Sequence, residues 1–135
     1  MIGLSDYMNT VMIAYKEHGG YIMGSSGQKW TAEKQAELNR TTDERYAMGR
    51  KYGAKWIGKR VWDCSGIMYF AFNQFGEKIA HGSNTMWNEE CSAKGELYMG
   101  ERTDGLPLRI GSCMFKNDNG SRHHVGVYIG KGKVL

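Results

Sequence analysis

Cys64 and His124 are the two side chains whose surroundings suit nucleophilic chemistry. Cys64 lies in Val61-Trp62-Asp63-Cys64-Ser65-Gly66-Ile67-Met68-Tyr69-Phe70-Ala71-Phe72, where Asp63, a residue able to cap a helix, precedes an apolar run. The free N–H groups of a helix start carry partial positive charge, which favours thiolate over thiol. The thiolate is the form that attacks carbonyls. Such a nucleophile needs a base, usually a histidine oriented by a third group. His124 opens the segment His124-Val125-Gly126-Val127-Tyr128-Ile129-Gly130, in which Val125, Val127 and Ile129 alternate with His124, Gly126 and Tyr128. That is the period of a strand with one β-branched core face. A glycine next to the histidine leaves room for another element, such as a helix start carrying Cys64. A free cysteine is also a common small core residue, so the thiol alone leaves both readings open.

The elements that must position these groups follow from periodicity. A helix is expected from Asp63 to Gly76, with Cys64 in its first turn. Steps of 100° per residue bring Cys64, Ile67, Met68, Ala71 and Phe75 into one arc, while Tyr69, Phe70 and Phe72 make the other faces apolar. Such a helix is buried on most sides and therefore central. An earlier helix is expected from Leu4 to Glu17, with Ser5 as a cap and a stripe of Met8, Val11, Met12 and Tyr15. Thr31 can cap a second helix, and Thr41 and Glu44 have the spacing of a capping box for a third that runs to Tyr52. Ser83 or Asn84 can cap a further helix through Trp87 to Cys91. Asn117-Asp118-Asn119-Gly120 is a hairpin signal between a strand over Leu108 to Lys116 and the His124 strand. Gly130-Lys131-Gly132 marks another turn before a strand beginning at Lys133.

Asp-Cys-Ser-Gly at a helix start, followed by His-Val-Gly-Val-Tyr-Ile-Gly on a strand, resembles the NlpC family of papain-like cell-wall cysteine peptidases. Gly20-Tyr21-Ile22-Met23-Gly24 looks like that family's aromatic-glycine segment. The resemblance implies an α+β, papain-like fold, with a central nucleophile-bearing helix on an antiparallel sheet, and hydrolysis of amide bonds in peptidoglycan stem peptides. It implies Cys64 as nucleophile and His124 as general base, with Tyr21, Asp63, Ser65, His81 and Ser83 as substrate contacts. His81 is also a rival base. The bond most often cut in the family joins D-glutamate to a diamino acid. Two departures stand out. A helical insertion, about residues 28–55, separates the aromatic-glycine segment from the nucleophile. The family's third catalytic polar residue would fall a few positions beyond Leu135.

At 135 residues the chain is expected to form a single NlpC-like domain over residues 1–135. Its net charge of +4 suits an anionic partner such as bacterial peptidoglycan. No nucleic-acid module is recognisable, so nucleic acid is not an expected partner. Lys55, Lys59 and Arg60, just ahead of the nucleophile, can meet stem-peptide carboxylates or simply form a basic approach. The three cysteines, Cys64, Cys91 and Cys113, have no short spacing, which argues against a disulfide framework. No metal-ligand spacing occurs, and no cofactor is expected. Asp6 and Asn9 interrupt the N-terminal segment, so neither a signal peptide nor a membrane span is read there. A phage or prophage lysin, made in the cytoplasm and released by a phage-type or other non-classical route, fits these features. The alternative is a catalytically weak or inactive wall-binding module on the same fold.

Overall fold

The computed structural model describes residues 2–135. Helix α1 (Leu4–Lys16) leads into the short strand β1 (Gly20–Tyr21), which is followed by β2 (Ser26–Lys29) and α2 (Ala32–Asn39). Two 3-10 turns, Glu44–Tyr46 and Gly53–Trp56, flank α3 (Ala47–Tyr52). Strand β3 (Arg60–Trp62) precedes the core helix α4 (Gly66–Gln74). A short α5 (Ser83–Thr85) widens into a π turn over Met86–Glu90. The hairpin β4 (Leu97–Tyr98) and β5 (Glu101–Arg102) comes next. Strands β6 (Cys113–Asp118), β7 (Ser121–Gly130) and β8 (Lys133–Val134) complete a mixed helix-and-strand domain.

Two small sheets matter for the site. In the first, β3 is central, parallel to β1 and antiparallel to β2. This brings Tyr21 opposite Trp62, two residues from the thiol. The second is the antiparallel meander β6-β7-β8. Its first turn is Asn119-Gly120, both at positive φ, between the paired Asp118 and Ser121. Its second is Lys131-Gly132, also at positive φ, between Gly130 and Lys133. Both are two-residue hairpins whose twist matches that of their strands.

The core lies between α1, α4 and the meander. Tyr7, Val11, Met68, Ala71, Met86, Val125 and Val127 form one buried cluster, with Cys64, Ile67 and Leu135 packed against it. Burying each large apolar side chain contributes roughly 1.5–3 kcal/mol. A second cluster, Ile22, Trp30, Leu38 and Val61, ties α2 to the β1-β3-β2 sheet. Among the described residues, no helix is long and apolar enough to cross a membrane.

Several local expectations change. In α1 the buried residues are Tyr7, Thr10 and Val11, and Tyr15 is exposed, because the helix meets α4 along the Tyr7–Val11 edge. Gly3, not Ser5, precedes its first turn. Thr31 does cap α2 by accepting from the Lys34 N–H. The Thr41–Glu44 box does not form: Thr41 turns its hydroxyl to the Leu38 carbonyl, and Asp43 accepts from the Arg45 N–H. Strand β6 begins at Cys113, later than expected, because Arg109–Ser112 are taken up in a turn.

Candidate active site

The approach to α4 is built on Asp63. Its carboxylate accepts from the Gly24 N–H through Oδ2 at 2.8 Å and from the Gly66 N–H through Oδ1 at 2.7 Å. The second bond satisfies a free donor at the start of α4, which is the capping role read for Asp63. The helix nevertheless starts at Gly66, so Cys64 lies in the turn just before it and not in its first turn. The reason is steric as well as electrostatic. The Ser25 carbonyl, which accepts from the Asp63 N–H, crosses the helix start so closely that a Cβ on Gly66 would lie 2.0 Å from its oxygen. Only glycine fits under that crossing. At the other end, Gly76 at φ +75° lets its own and the Glu77 N–H groups reach the Asn73 and Phe72 carbonyls, a Schellman closure.

His81 Nε2 lies 2.9 Å from Asp63 Oδ1, and its ring stacks on Tyr69 with centroids 5.2 Å apart. An ionised carboxylate only accepts, so Nε2 carries the proton and Nδ1 is the free nitrogen of the neutral ring. The Asp63 hydrogen bond raises the His81 pKa above the usual value, against partial burial, which lowers it.

Tyr21 is half exposed, on the strand that pairs with Trp62, and Cys64 and Asp63 are among the groups that act on its phenol. Burial first, then the neighbouring Cys64 and Asp63 charges, push its pKa up to about 12. At neutral pH it is therefore a hydroxyl that can donate. A cleft of about 290 Å³ borders it, lined also by Tyr15, His18, Trp62, Ile67 and Leu135. A shallower hollow of about 410 Å³ between α2 and the Glu44–Tyr46 turn contains none of the expected site residues.

The other expected site residues separate into two groups. Ser65 and Ser83 are buried, the first at the mouth of α4 and the second at the start of α5. His124 stands exposed on β7 opposite Lys116, and its ring makes no hydrogen bond among the described residues. Alternation along β7 puts Val125 and Val127 in the cluster against which Cys64 packs and leaves His124 on the other face. The space beside Gly126 is not taken by the segment that carries Cys64. The tight Lys131-Gly132 turn folds β8 back along β7, and a Cβ on Gly126 would meet Val134 Cγ1 at 2.5 Å and the Leu135 carbonyl at 3.0 Å.

Sequence reasoning missed three participants. Gly24 and Ser25 hold Asp63 from across the chain, although Gly24-Ser25-Ser26-Gly27 reads as a loop of small residues and Gly24 only as the end of the aromatic-glycine segment. Asn84 does not cap α5. Its side chain accepts from the Arg122 N–H at 2.6 Å and donates to Ser121 Oγ at 3.3 Å, tying α5 to the start of β7. Among the described residues, no group of three or more His, Cys, Asp or Glu side chains could hold a metal ion.

The architecture is that of a small α+β domain with a thiol at the entrance of its core helix, a tyrosine on the neighbouring strand, and a carboxylate–imidazole pair anchored one residue away. A comparison with known families matches residues 43–135 to the NlpC/P60 family, and the chain belongs to that family. The match begins inside the segment read as an insertion. Over 83 residues the chain is 31% identical to the peptidoglycan endopeptidase RipA of Mycobacterium tuberculosis, covering 62% of this chain and 15% of that protein. It is also 31% identical over 83 residues to RipA of Mycolicibacterium smegmatis, covering 62% and 14%. The chain thus aligns with only a small part of either relative. No solved structure matches it.

Proposed function

We propose that this chain is a cysteine peptidase that hydrolyses amide bonds in peptidoglycan stem peptides, most specifically the bond between D-glutamate and a diamino acid. The observation that carries the reading is Cys64 at the entrance of α4, next to the Asp63–His81 pair, in a chain of the NlpC/P60 family. His124 takes the thiol proton and the sulfur attacks the scissile carbonyl. The backbone N–H of Cys64, helped by the Tyr21 hydroxyl, holds the resulting oxyanion. Collapse breaks the C–N bond, and the amine leaves with the proton from His124. A thioester remains. Water that loses a proton to His124 attacks it, releasing the carboxylate and restoring the thiol. Asp63, Ser65, His81 and Ser83 are proposed to shape the substrate side of the cleft. Action as a phage or prophage lysin belongs to the same reading; a gene with no phage or mobile-element neighbours would count against it.

A second reading is favoured by the 2.9 Å contact between His81 and Asp63. In it, His81 is the base, already oriented by the carboxylate of the nucleophile's neighbour. A third, an inactive wall-binding module, predicts an unreactive Cys64 with wall binding retained.

The test is digestion of purified peptidoglycan by the wild type and by Cys64→Ala, with mass spectrometry of the released fragments. Fragments from the wild type alone support the cysteine mechanism, and their masses identify the bond. Equal release by Cys64→Ala would sink it.

A further inference from the structure

Residues 40–60 carry seven basic side chains and only two acidic ones, whereas the whole chain has a net charge of only +4. The positive charge of the protein is therefore concentrated in the segment ahead of the nucleophile, and the remainder is close to neutral. Some of these cations are used internally. Arg45 pairs with Asp43. Arg50 donates to Thr41 Oγ1 and the Asp43 carbonyl. Arg60 donates to the Gly27 carbonyl and stacks on Trp62 and Phe70.

Lys51, Lys55 and Lys59 differ. None has an ion pair among the described residues. They alternate with two rings: Lys51 Nζ lies 5.1 Å from the Tyr52 centroid, Lys55 Nζ 5.8 Å from Tyr52 and 4.8 Å from Trp56, and Lys59 Nζ 5.9 Å from Trp56. The second ring is closely packed, because Trp56 lies against Gly20, where a Cβ would come within 2.3 Å of the ring. Gly20 adjoins Tyr21, so the row begins beside the candidate active site.

We propose that Lys51, Lys55 and Lys59 form a docking track for a phosphodiester-bearing polymer of the bacterial wall. Three ammonium groups without an ion pair among the described residues, seated over two neighbouring rings, match a chain of repeated single negative charges. Because lysines lie over both rings, those rings are poor platforms for nucleobases, which separates the track from a single-strand nucleic-acid groove. The choice of a wall polymer rests on the hydrolase reading above. The track would hold the domain on the wall while Cys64 works on neighbouring peptides.

The test uses the full chain carrying Cys64→Ala, so that binding is read without cleavage. It is sedimented with walls that retain their phosphodiester polymers and with the same walls stripped of them by hydrofluoric acid. Binding to intact walls should fall roughly 10-fold or more on stripping, and again between about 50 and 300 mM salt. The triple change Lys51→Gln, Lys55→Gln, Lys59→Gln should lower it by a similar factor with an unchanged unfolding temperature. The triple Arg variant, which keeps the charge, should retain it. Equal binding to stripped walls, or undiminished binding by the Gln variant, would overturn the proposal. So would tighter binding to a single-stranded oligonucleotide than to intact walls. Wild-type cleavage of soluble stem peptides is measured alongside. Cleavage without polymer-dependent binding overturns only the docking track; polymer-dependent binding without cleavage overturns only the hydrolase reading.

Discussion

The ring of His81 is held on two sides, by the Asp63 carboxylate and by the stacked Tyr69, whereas the ring of His124 stands on the exposed part of β7 with no hydrogen-bond partner among the described residues. Asp63 in turn is fixed by two backbone N–H groups from opposite ends of the β1–α4 segment. His81 thus inherits its position from the same carboxylate that starts the core helix. His124 takes its position from a strand whose Val125 and Val127 are locked in the core, while its own side chain remains free. An imidazole that serves as a base must reach the thiol and exchange protons; the unbonded His124 ring can exchange protons, but it starts from the face of β7 away from the cluster that Cys64 packs against. An imidazole bound to a carboxylate is oriented for the same task, as the third group of a catalytic triad orients its base, and its second nitrogen stays free to take a proton. The contrast is between an oriented candidate base and an exposed one, and it can be broken.

The largest effect is expected at the thiol. Cys64→Ala should reduce peptidoglycan cleavage by roughly 10⁴-fold or more, read by fragment release. The next test bears on the contrast itself. His124→Ala should lower kcat/KM by roughly 10²–10⁴-fold if it is the base. His81→Ala should cost less and should act chiefly through KM. The reverse order, with His81→Ala the more damaging in kcat, would make the tied histidine the base.

Stability sharpens the picture at the shared anchor. Gly66→Ala should destabilise by about 3 kcal/mol or more in chemical denaturation, because its Cβ would run into the Ser25 carbonyl rather than a movable side chain. Asp63→Asn should cost roughly 2–3 kcal/mol, since an amide has one acceptor oxygen where three donors now converge. The smallest effect is the titration of His81. Its folded pKa is raised by Asp63, so its contribution to stability is fully present below the usual histidine value near about 6.5. That contribution is lost as pH rises through the higher folded value. NMR titration should find the shift in the wild type and lose it in Asp63→Asn.

Much of this arrangement was legible beforehand because it is local. The Asn119-Gly120 hairpin, the apolar Met68–Ala71 stretch of α4, the Thr31 cap and the closure at Gly76 each depend on residues within a few positions of one another. The Thr41–Glu44 box failed although it too is local, because Arg50 and Leu38 offered the Thr41 hydroxyl partners from neighbouring helices. The pairing of Asp63 with Gly24 and His81, and the role of Asn84 in tying α5 to β7, were not legible. These are single hydrogen bonds between distant positions, and no periodicity records them. The same holds for Gly126: a glycine in a strand signals a close approach, but not which element makes it.

The Asp63–Gly24 bond bridges 39 positions, whereas the meander that carries His124 closes through two-residue turns. Hairpins of that kind form within about 1–10 µs, while contacts across long loops must first overcome the entropy of closure. The histidine strand should therefore be assembled early in folding, and the surroundings of the thiol late. During that interval the chain would carry a finished scaffold and an unfinished setting for Cys64. A newly made molecule would then pass through a stage at which it is compact but not yet reactive, a delay that stopped-flow labelling of Cys64 during refolding can time.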